Sequence, residues 1–133
     1  MLKKILLLGD SIRMGYQPYV AEILKNEAEI WGPSENCAYA LYTASRLSAW
    51  LQESGIPNLI HWNNGLHDLG CNLRRGPVQF SVGDYLHNLE EIYKQLNATG
   101  AKIIWATTTP VSKRPAQIPF WSFSNEDINK YNL

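Results

Sequence analysis

The sequence lacks three features that define large classes of protein. It has only two cysteines, Cys37 and Cys71, so a scaffold held by several disulfides is excluded. Basic and acidic residues each number 12, and a formal net charge of zero argues against binding to a nucleic-acid backbone or an anionic membrane. No stretch of about 20 apolar residues occurs, so no membrane-spanning helix is predicted.

The amino terminus resembles a signal peptide only over its first residues. Two lysines precede the apolar run Ile5–Leu8, which Gly9 and Asp10 end. A signal peptide needs roughly 7–15 apolar residues, whereas a short apolar run ended by glycine is typical of a buried strand. We therefore expect a cytoplasmic protein in which both cysteines are reduced thiols.

The composition is that of one packed globular domain over residues 1–133, with 45% apolar and 18% charged residues. Short apolar runs predict strands at Lys3–Leu8, Glu29–Trp31, Asn58–Trp62 and Lys102–Ala106. Helical spacing predicts helices that begin near Pro18 (in the first turn), Thr43, Asp84 and Asn125, and the polar segments Asn63–Gly83 and Thr107–Phe123 are predicted loops.

Strands that alternate with helices predict an α/β fold. The expected architecture is three layers, α/β/α, around a parallel, flavodoxin-like sheet with right-handed crossovers. In such sheets ligands bind beyond the carboxyl ends of the strands. The segments that follow each strand are therefore the candidates for a functional site.

The last predicted strand and helix leave one edge of the sheet unprotected. The final helix has nine residues from Asn125 to Leu133, and the strand Lys102–Ala106 carries little charge to shield it. We therefore expect a domain truncated at its carboxyl terminus, without a fifth strand, that forms homo-oligomers through this edge. A docked last helix and an edge covered by a partner chain would also explain the pattern. A monomer in sizing chromatography at all concentrations would contradict self-association.

The residues after the first predicted strand suit a nucleophile. Gly9, Asp10 and Ser11 open towards a helix, so the serine hydroxyl is expected at the mouth of the site, beside backbone N–H groups. A nucleophilic serine needs this exposure, a base within reach and donors for an oxyanion. An ordinary turn before a helix cap explains the same residues. The polar segment Asn63–Leu69 follows the third strand at the same edge of the sheet.

These segments resemble the blocks of the SGNH/GDSL hydrolase superfamily. The strings GDSIRMGY, ENCA and WNNGLHDL are similar to those of a branch of acyl-esterases and occur in the same order and spacing. The resemblance extends over most of the chain. The resemblance implies hydrolysis of a small acyl ester, such as an acetylated carbohydrate, through an acyl–serine intermediate. Lipids and thioesters are alternative substrates. No metal or organic cofactor is implied.

The resemblance also implies roles for individual residues. Ser11 matches the nucleophile and follows Asp10, and its backbone N–H matches one oxyanion donor. Ala38 matches the glycine donor of the second block, with Asn36 as a polar neighbour. His67 stands where the family has an asparagine donor, and an imidazole N–H can also donate.

Other residues near the blocks are further candidates. Gly65 and Asp68 match the first and last positions of the third block, and Asn63 and Asn64 are alternative donors to His67. A loop histidine satisfied by Asp68 or by the backbone also explains His67.

Two candidates for substrate binding lie elsewhere. Arg13 could attract an anionic group, and Trp121 could line the substrate pocket. We expect three further tryptophans to pack in the core because they lie in predicted strands: Trp31, Trp62 and Trp105.

The sequence departs from the family at its last block. No Asp-x-x-His motif, which would supply the general base, occurs after Trp105. A serine without a base is a weak nucleophile. Two hypotheses therefore stand: a serine esterase, or a fragment, pseudoenzyme or binding module that keeps the pocket without turnover. A third hypothesis is a phosphate-binding protein. The lack of a glycine-rich phosphate loop argues against it.

Overall fold

The structure, a computed structural model, describes residues 1–72, 78–111 and 121–133, with backbone only at residues 71, 72, 121 and 122. The strands are β1 (Lys3–Leu8), β2 (Ala28–Trp31), β3 (Leu59–Trp62), β4 (Cys71–Asn72), β5 (Lys102–Trp105) and β6 (Trp121–Ser122). The helices are α1 (Ser11–Ile23), α2 (Ala40–Ser54), α3 (Leu66–Leu69), α4 (Val82–Asn97) and α5 (Asn125–Tyr131).

Four of the strands form a parallel sheet in the order β2-β1-β3-β5, and the predicted α/β, flavodoxin-like fold is confirmed. The strands end level, since Leu8 is paired with Trp62 and Trp62 with Trp105. The segments that follow β1, β3 and β5 therefore meet beyond the carboxyl ends of these strands. The short strands β4 and β6 form a separate antiparallel pair.

The core lies between the sheet and the helices α2 and α4. Apolar side chains from β1 and β3 alternate in direction, so every second one points into this layer. Burying each large side chain contributes about 1.5–3 kcal/mol. The core includes Leu6, Leu8, Ile60, Trp62, Leu47, Trp50, Ile92 and Leu96. Helix α1 packs near β1 and β2, and its Tyr16 ring meets His61 of β3.

The first helix begins earlier than the sequence pattern predicts. The prediction that Pro18 lies in its first turn is wrong, because α1 begins at Ser11 and holds Pro18 in its interior. The Asp10 side chain caps the helix by accepting a hydrogen bond from Ile12 N–H at 2.9 Å. This cap and the burial of Arg13 hold the first turn in place although proline costs about 3 kcal/mol inside a helix.

Two further predictions need correction. The predicted loops Asn63–Gly83 and Thr107–Phe123 are not all loop, since the first contains α3, β4 and the first residues of α4 and the second contains β6. Trp62 is buried and Trp31 partly buried, but Trp105 is 38% exposed because β5 lies at the edge of the sheet. Trp105 packs against Trp62 from one side only, with ring centroids 4.7 Å apart.

Helix α5 is docked by two asparagines that pair with the backbone after β5. Asn125 exchanges two hydrogen bonds with Val111, and Asn132 exchanges two with Thr108. Ile128 in the same helix is buried in the core. This packing stabilises a helix of seven residues, which would be marginal in isolation.

Candidate active site

Ser11 is exposed at the first position of α1, directly beyond the end of β1. The Asp10 carboxyl group beside it is buried and occupied as the helix cap. The positive end of the helix dipole, about half an elementary charge, lies at Ser11. Gly9 is required for this turn, because a Cβ there would lie 2.7 Å from the Cβ of Arg13.

Arg13 joins the first segment to the loop after β2. Its buried guanidinium donates hydrogen bonds to the carbonyl groups of Gly9 at 3.3 Å, Pro33 at 2.8 Å and Glu35 at 2.7 Å. These bonds occupy donors of the guanidinium that were expected to bind an anionic substrate group. In the structure Arg13 therefore positions the loop, a role that no sequence motif indicated.

The loop after β2 reaches the site in a glycine-like conformation. Ala38 has φ of 54°, the only positive φ of a residue other than glycine among the described residues. Its N–H donates to Asn36 Oδ1 at 2.8 Å, and the neighbouring Cys37 N–H donates to the Gly9 carbonyl at 3.2 Å. The Cys37 thiol is buried and free, and burial raises its pKa.

Replacing Ala38 by glycine is expected to raise the free energy of unfolding by about 0.5–1 kcal/mol. A left-handed conformation costs a residue with a Cβ about 1–2 kcal/mol, and part of that gain is offset by the larger chain entropy of glycine. Urea unfolding measures the change. Ala44→Gly within α2 is the matched control, with an expected loss of about 1 kcal/mol. Equal losses in the two variants would contradict strain at Ala38.

The segment after β3 is locked to the second loop through Asn64. Its amide donates to the Ala38 carbonyl at 3.3 Å and to Thr43 Oγ1 at 3.0 Å, and its Oδ1 accepts from Trp62 Nε1 at 2.7 Å. These bonds occupy the Asn64 side chain. The Asn63 amide donates to the Ala106 carbonyl at 2.8 Å, and Asn63 lines the neighbouring pocket. Gly65 follows with φ of 156° and is buried against Thr108.

Asp68 ties α3 to the start of α2. Its fully buried carboxyl group accepts a hydrogen bond from the Ala40 N–H, with both oxygens 3.1 Å from the nitrogen. Burial raises the pKa of Asp68 to about 7, although the hydrogen bond from Ala40 favours the charged form.

His67 lies beside Asp68 on α3 and is half buried. Burial lowers the pKa of the imidazole, and the negative charge of Asp10 partly opposes this shift. His67 therefore lies within electrostatic reach of the first segment and is largely neutral at pH 7. Among the described residues, no group of three or more histidines, cysteines or carboxylates is arranged to hold a metal ion.

A pocket of about 140 Å³ lies between α1 and the ends of β3 and β5, and Ser11 is not among the residues that line it. Asp10 and Ile12, the neighbours of Ser11 in the chain, contribute to its wall. The sequence patterns missed the residues that follow β5, because Thr107, Thr108 and Thr109 resemble an ordinary polar loop. The side chain of Trp121, the other candidate for this wall, lies outside the described residues.

Three hydrogen-bonded junctions bring the predicted segments together. Gly9 accepts from Cys37, Ala38 accepts from Asn64, and Ala40 donates to Asp68. The strand order of the sheet and the likeness to solved structures show that the chain has the SGNH/GDSL hydrolase fold. No family model and no curated protein sequence matches the chain. In the part of the chain that the structure describes, no helix is long and apolar enough to cross a membrane.

Solved structures with this fold are distant in sequence. An acetyl xylan esterase, AlAXEase, has a TM-score of 0.73 at 16% identity. The match covers 97% of this chain and 68% of the esterase. A GDSL-like lipase from Bacteroides thetaiotaomicron has a TM-score of 0.74 at 15% identity. This match covers 98% of this chain and 60% of the lipase.

A third structure is the psychrotrophic esterase EstA from Pseudoalteromonas sp., inhibited by monoethylphosphonate, with a TM-score of 0.65 at 15% identity. The match covers 98% of this chain and 68% of EstA. The chain thus spans 60% to 68% of the length of these three proteins.

Proposed function

We propose that this domain is a serine hydrolase of the esterase type and that Ser11 is its nucleophile. The observation that carries the proposal is the exposed Ser11 at the positive end of α1, two residues after Gly9. The Gly9 carbonyl accepts from Cys37 N–H in the loop that contains Ala38, and the Asn64 amide donates to the Ala38 carbonyl. The activities of AlAXEase and EstA, which share this fold, support an ester as the substrate.

In the proposed reaction Ser11 Oγ attacks the carbonyl carbon of the ester and transfers its proton to a base. The carbonyl oxygen becomes an oxyanion, which the helix dipole and backbone N–H groups stabilise. The alcohol leaves with a proton, and water then releases the acyl group from Ser11 as a carboxylic acid. The Ala38 N–H becomes a donor to the oxyanion when its bond to Asn36 Oδ1 opens. Inhibition of EstA by a phosphonate is consistent with a tetrahedral intermediate of this kind.

Hydrolysis of p-nitrophenyl acetate tests the proposal. Ser11→Ala is expected to abolish the activity, since no acyl–enzyme intermediate forms without the hydroxyl. Ser48→Ala is the matched control, because Ser48 is an exposed serine on α2 away from the three segments. Equal activity of Ser11→Ala and the unsubstituted protein would refute the role of Ser11.

We assign His67 a hydrogen bond to the oxyanion through its ring N–H. His67→Asn, which restores the amide that the family has at this position, is then expected to keep the rate within about tenfold. His67→Ala is expected to lose about 10²–10³-fold in kcat, as when an oxyanion donor is removed. If His67→Asn is as inactive as His67→Ala, the imidazole acts as the base instead. The rate would then also fall as pH drops through the pKa of His67, which lies below 6.5.

A second candidate function is acyl binding without turnover. The structure favours it at one point, because the Ala38 N–H and the Asn64 amide, two of the donors expected for an oxyanion, are bonded within the protein. The sequence after Trp105 also contains no Asp-x-x-His. Under this function Ser11→Ala and the unsubstituted protein are both inert towards the ester and bind the acyl group alike.

A further inference from the structure

Glu35 lies in the loop after β2, three residues before Ala38, and its carboxylate is bound by three side chains of α2. Oε2 accepts a hydrogen bond from Tyr42 Oη at 2.9 Å. Oε1 accepts from Arg46 Nε at 3.1 Å and from Trp50 Nε1 at 3.0 Å. The three donors follow one another at intervals of four residues, so they lie on one face of α2 and hold the carboxylate from a single surface.

The main chain around Glu35 is bound as well. The Glu35 carbonyl accepts a hydrogen bond from Arg13 Nη2 at 2.7 Å, and Arg13 is buried. Two residues later the Cys37 carbonyl accepts from Thr43 Oγ1 at 2.8 Å. Glu35 is therefore connected to α2 through its carboxylate and to α1, the helix that begins at Ser11, through its carbonyl.

The loop needs this support because Ala38 has an unfavourable conformation. Its φ of 54° lies in the left-handed region, which is costly for a residue with a Cβ. A loop that could relax would leave this conformation and turn the Ala38 N–H in another direction. Hydrogen bonds from Arg46, Tyr42 and Trp50 lower the pKa of Glu35, so the acceptor is a charged carboxylate at neutral pH. Bonds to a charged acceptor are stronger than those between neutral groups.

We propose that Glu35 is a positioning residue that fixes the loop between α1 and α2, so that the Ala38 N–H faces the oxyanion. The inference rests on the proposed function, in which Ser11 attacks the ester and Ala38 donates to the oxyanion. A donor that is misplaced by about 1 Å costs up to about a hundredfold in rate. The oxyanion exists only during the reaction, so loss of the carboxylate reduces kcat and leaves KM nearly unchanged.

Hydrolysis of p-nitrophenyl acetate by Glu35→Ala and Glu35→Gln tests the effect on the reaction. Glutamine keeps one oxygen for Arg46 and Trp50, and its amide can donate to Tyr42 Oη. Glu35→Ala is expected to lose about 10–10²-fold in kcat with KM within about twofold, and Glu35→Gln about threefold or less in kcat. The matched control is Glu91→Ala, which removes an exposed ion pair on α4 and should leave both values unchanged.

Alkylation of Cys37 by iodoacetamide, located by peptide mapping, measures the position of the loop independently of catalysis. The Cys37 thiol is fully buried, so it reacts only when the loop opens. We expect the rate to rise about tenfold or more in Glu35→Ala and to stay unchanged in Glu35→Gln and Glu91→Ala. If circular dichroism shows that Glu35→Ala is unfolded, Tyr42→Phe takes its place. That variant removes one of the three hydrogen bonds, and we expect a smaller change in the same direction.

The two measurements separate this inference from the proposed function. If esters are hydrolysed and Glu35→Ala keeps the full kcat, or if Cys37 reacts equally fast in all variants, the role of Glu35 is refuted and the proposed function stands. If no ester is hydrolysed but Glu35→Ala alone exposes Cys37, the proposed function fails and the positioning of the loop by Glu35 stands. If no ester is hydrolysed and Cys37 stays protected in every variant, both are refuted.

Discussion

Gly65→Ala is expected to lower the free energy of unfolding by about 3 kcal/mol or more. A Cβ at this position would overlap Thr108 Oγ1 and lie 3.1 Å from the hydroxyl oxygen of Tyr85. Neither neighbour can move freely, because the Tyr85 hydroxyl donates to the Asn64 carbonyl at 2.6 Å and Thr108 is buried. Overpacking of this kind costs about 1–3 kcal/mol, and the φ of 156° at Gly65 adds backbone strain.

Urea unfolding followed by tryptophan fluorescence measures this loss. The matched control is Gly15→Ala within α1, where an added Cβ meets no atom within 4 Å. Alanine is favoured over glycine inside a helix, so the control is expected to gain about 0.5–1 kcal/mol. If the two variants have equal stability, Gly65 is not held as tightly as the structure indicates.

Asp68→Asn is expected to change how the stability of the protein depends on pH. The pKa of Asp68 is about 7 in the folded protein, above the ordinary value of 3.8, because the carboxyl group is buried. The folded state therefore keeps a proton that the unfolded state releases between these values. The stability that this proton contributes is fully present below about pH 4 and is lost as pH rises through 7. For a difference of this size the loss reaches about 4 kcal/mol.

The measurement compares urea unfolding of the two proteins at pH 4.5 and at pH 8. Asparagine keeps an oxygen that can accept the Ala40 N–H and carries no charge. The variant is therefore expected to gain stability relative to the unsubstituted protein as pH rises, by up to about 4 kcal/mol at pH 8. A stability difference that is the same at both pH values would show that Asp68 does not titrate in this range.

The sheet was predictable from sequence because its strands are short apolar runs that ordinary turns separate. The parallel order then followed from the alternation with helices, and the exposed edge at β5 from its place in the chain. The start of α1 was not predictable from periodicity. Pro18 is a strong local signal for a first turn, and it is outweighed by the local cap at Asp10 and by the burial of Arg13, of which only the burial is a tertiary effect.

The site was predictable as a set of segments but not as a set of contacts. Motif spacing placed Ser11 and the loops of Ala38 and Asn64 at one edge. The positive φ of Ala38 and the occupied amide of Asn64 depend on backbone conformation and on bonds between distant residues, which a local pattern does not contain. The role of Arg13 was missed for the same reason, since its acceptors are backbone carbonyl groups that any sequence supplies.

The assignment of Ser11 as a nucleophile is tested most directly by reaction with a fluorophosphonate. Intact mass and peptide mapping after the reaction locate the adduct. We expect one adduct per chain on Ser11, present in Ser48→Ala and missing from Ser11→Ala. A chain that stays unmodified, or adducts spread evenly over several exposed serines, would contradict it.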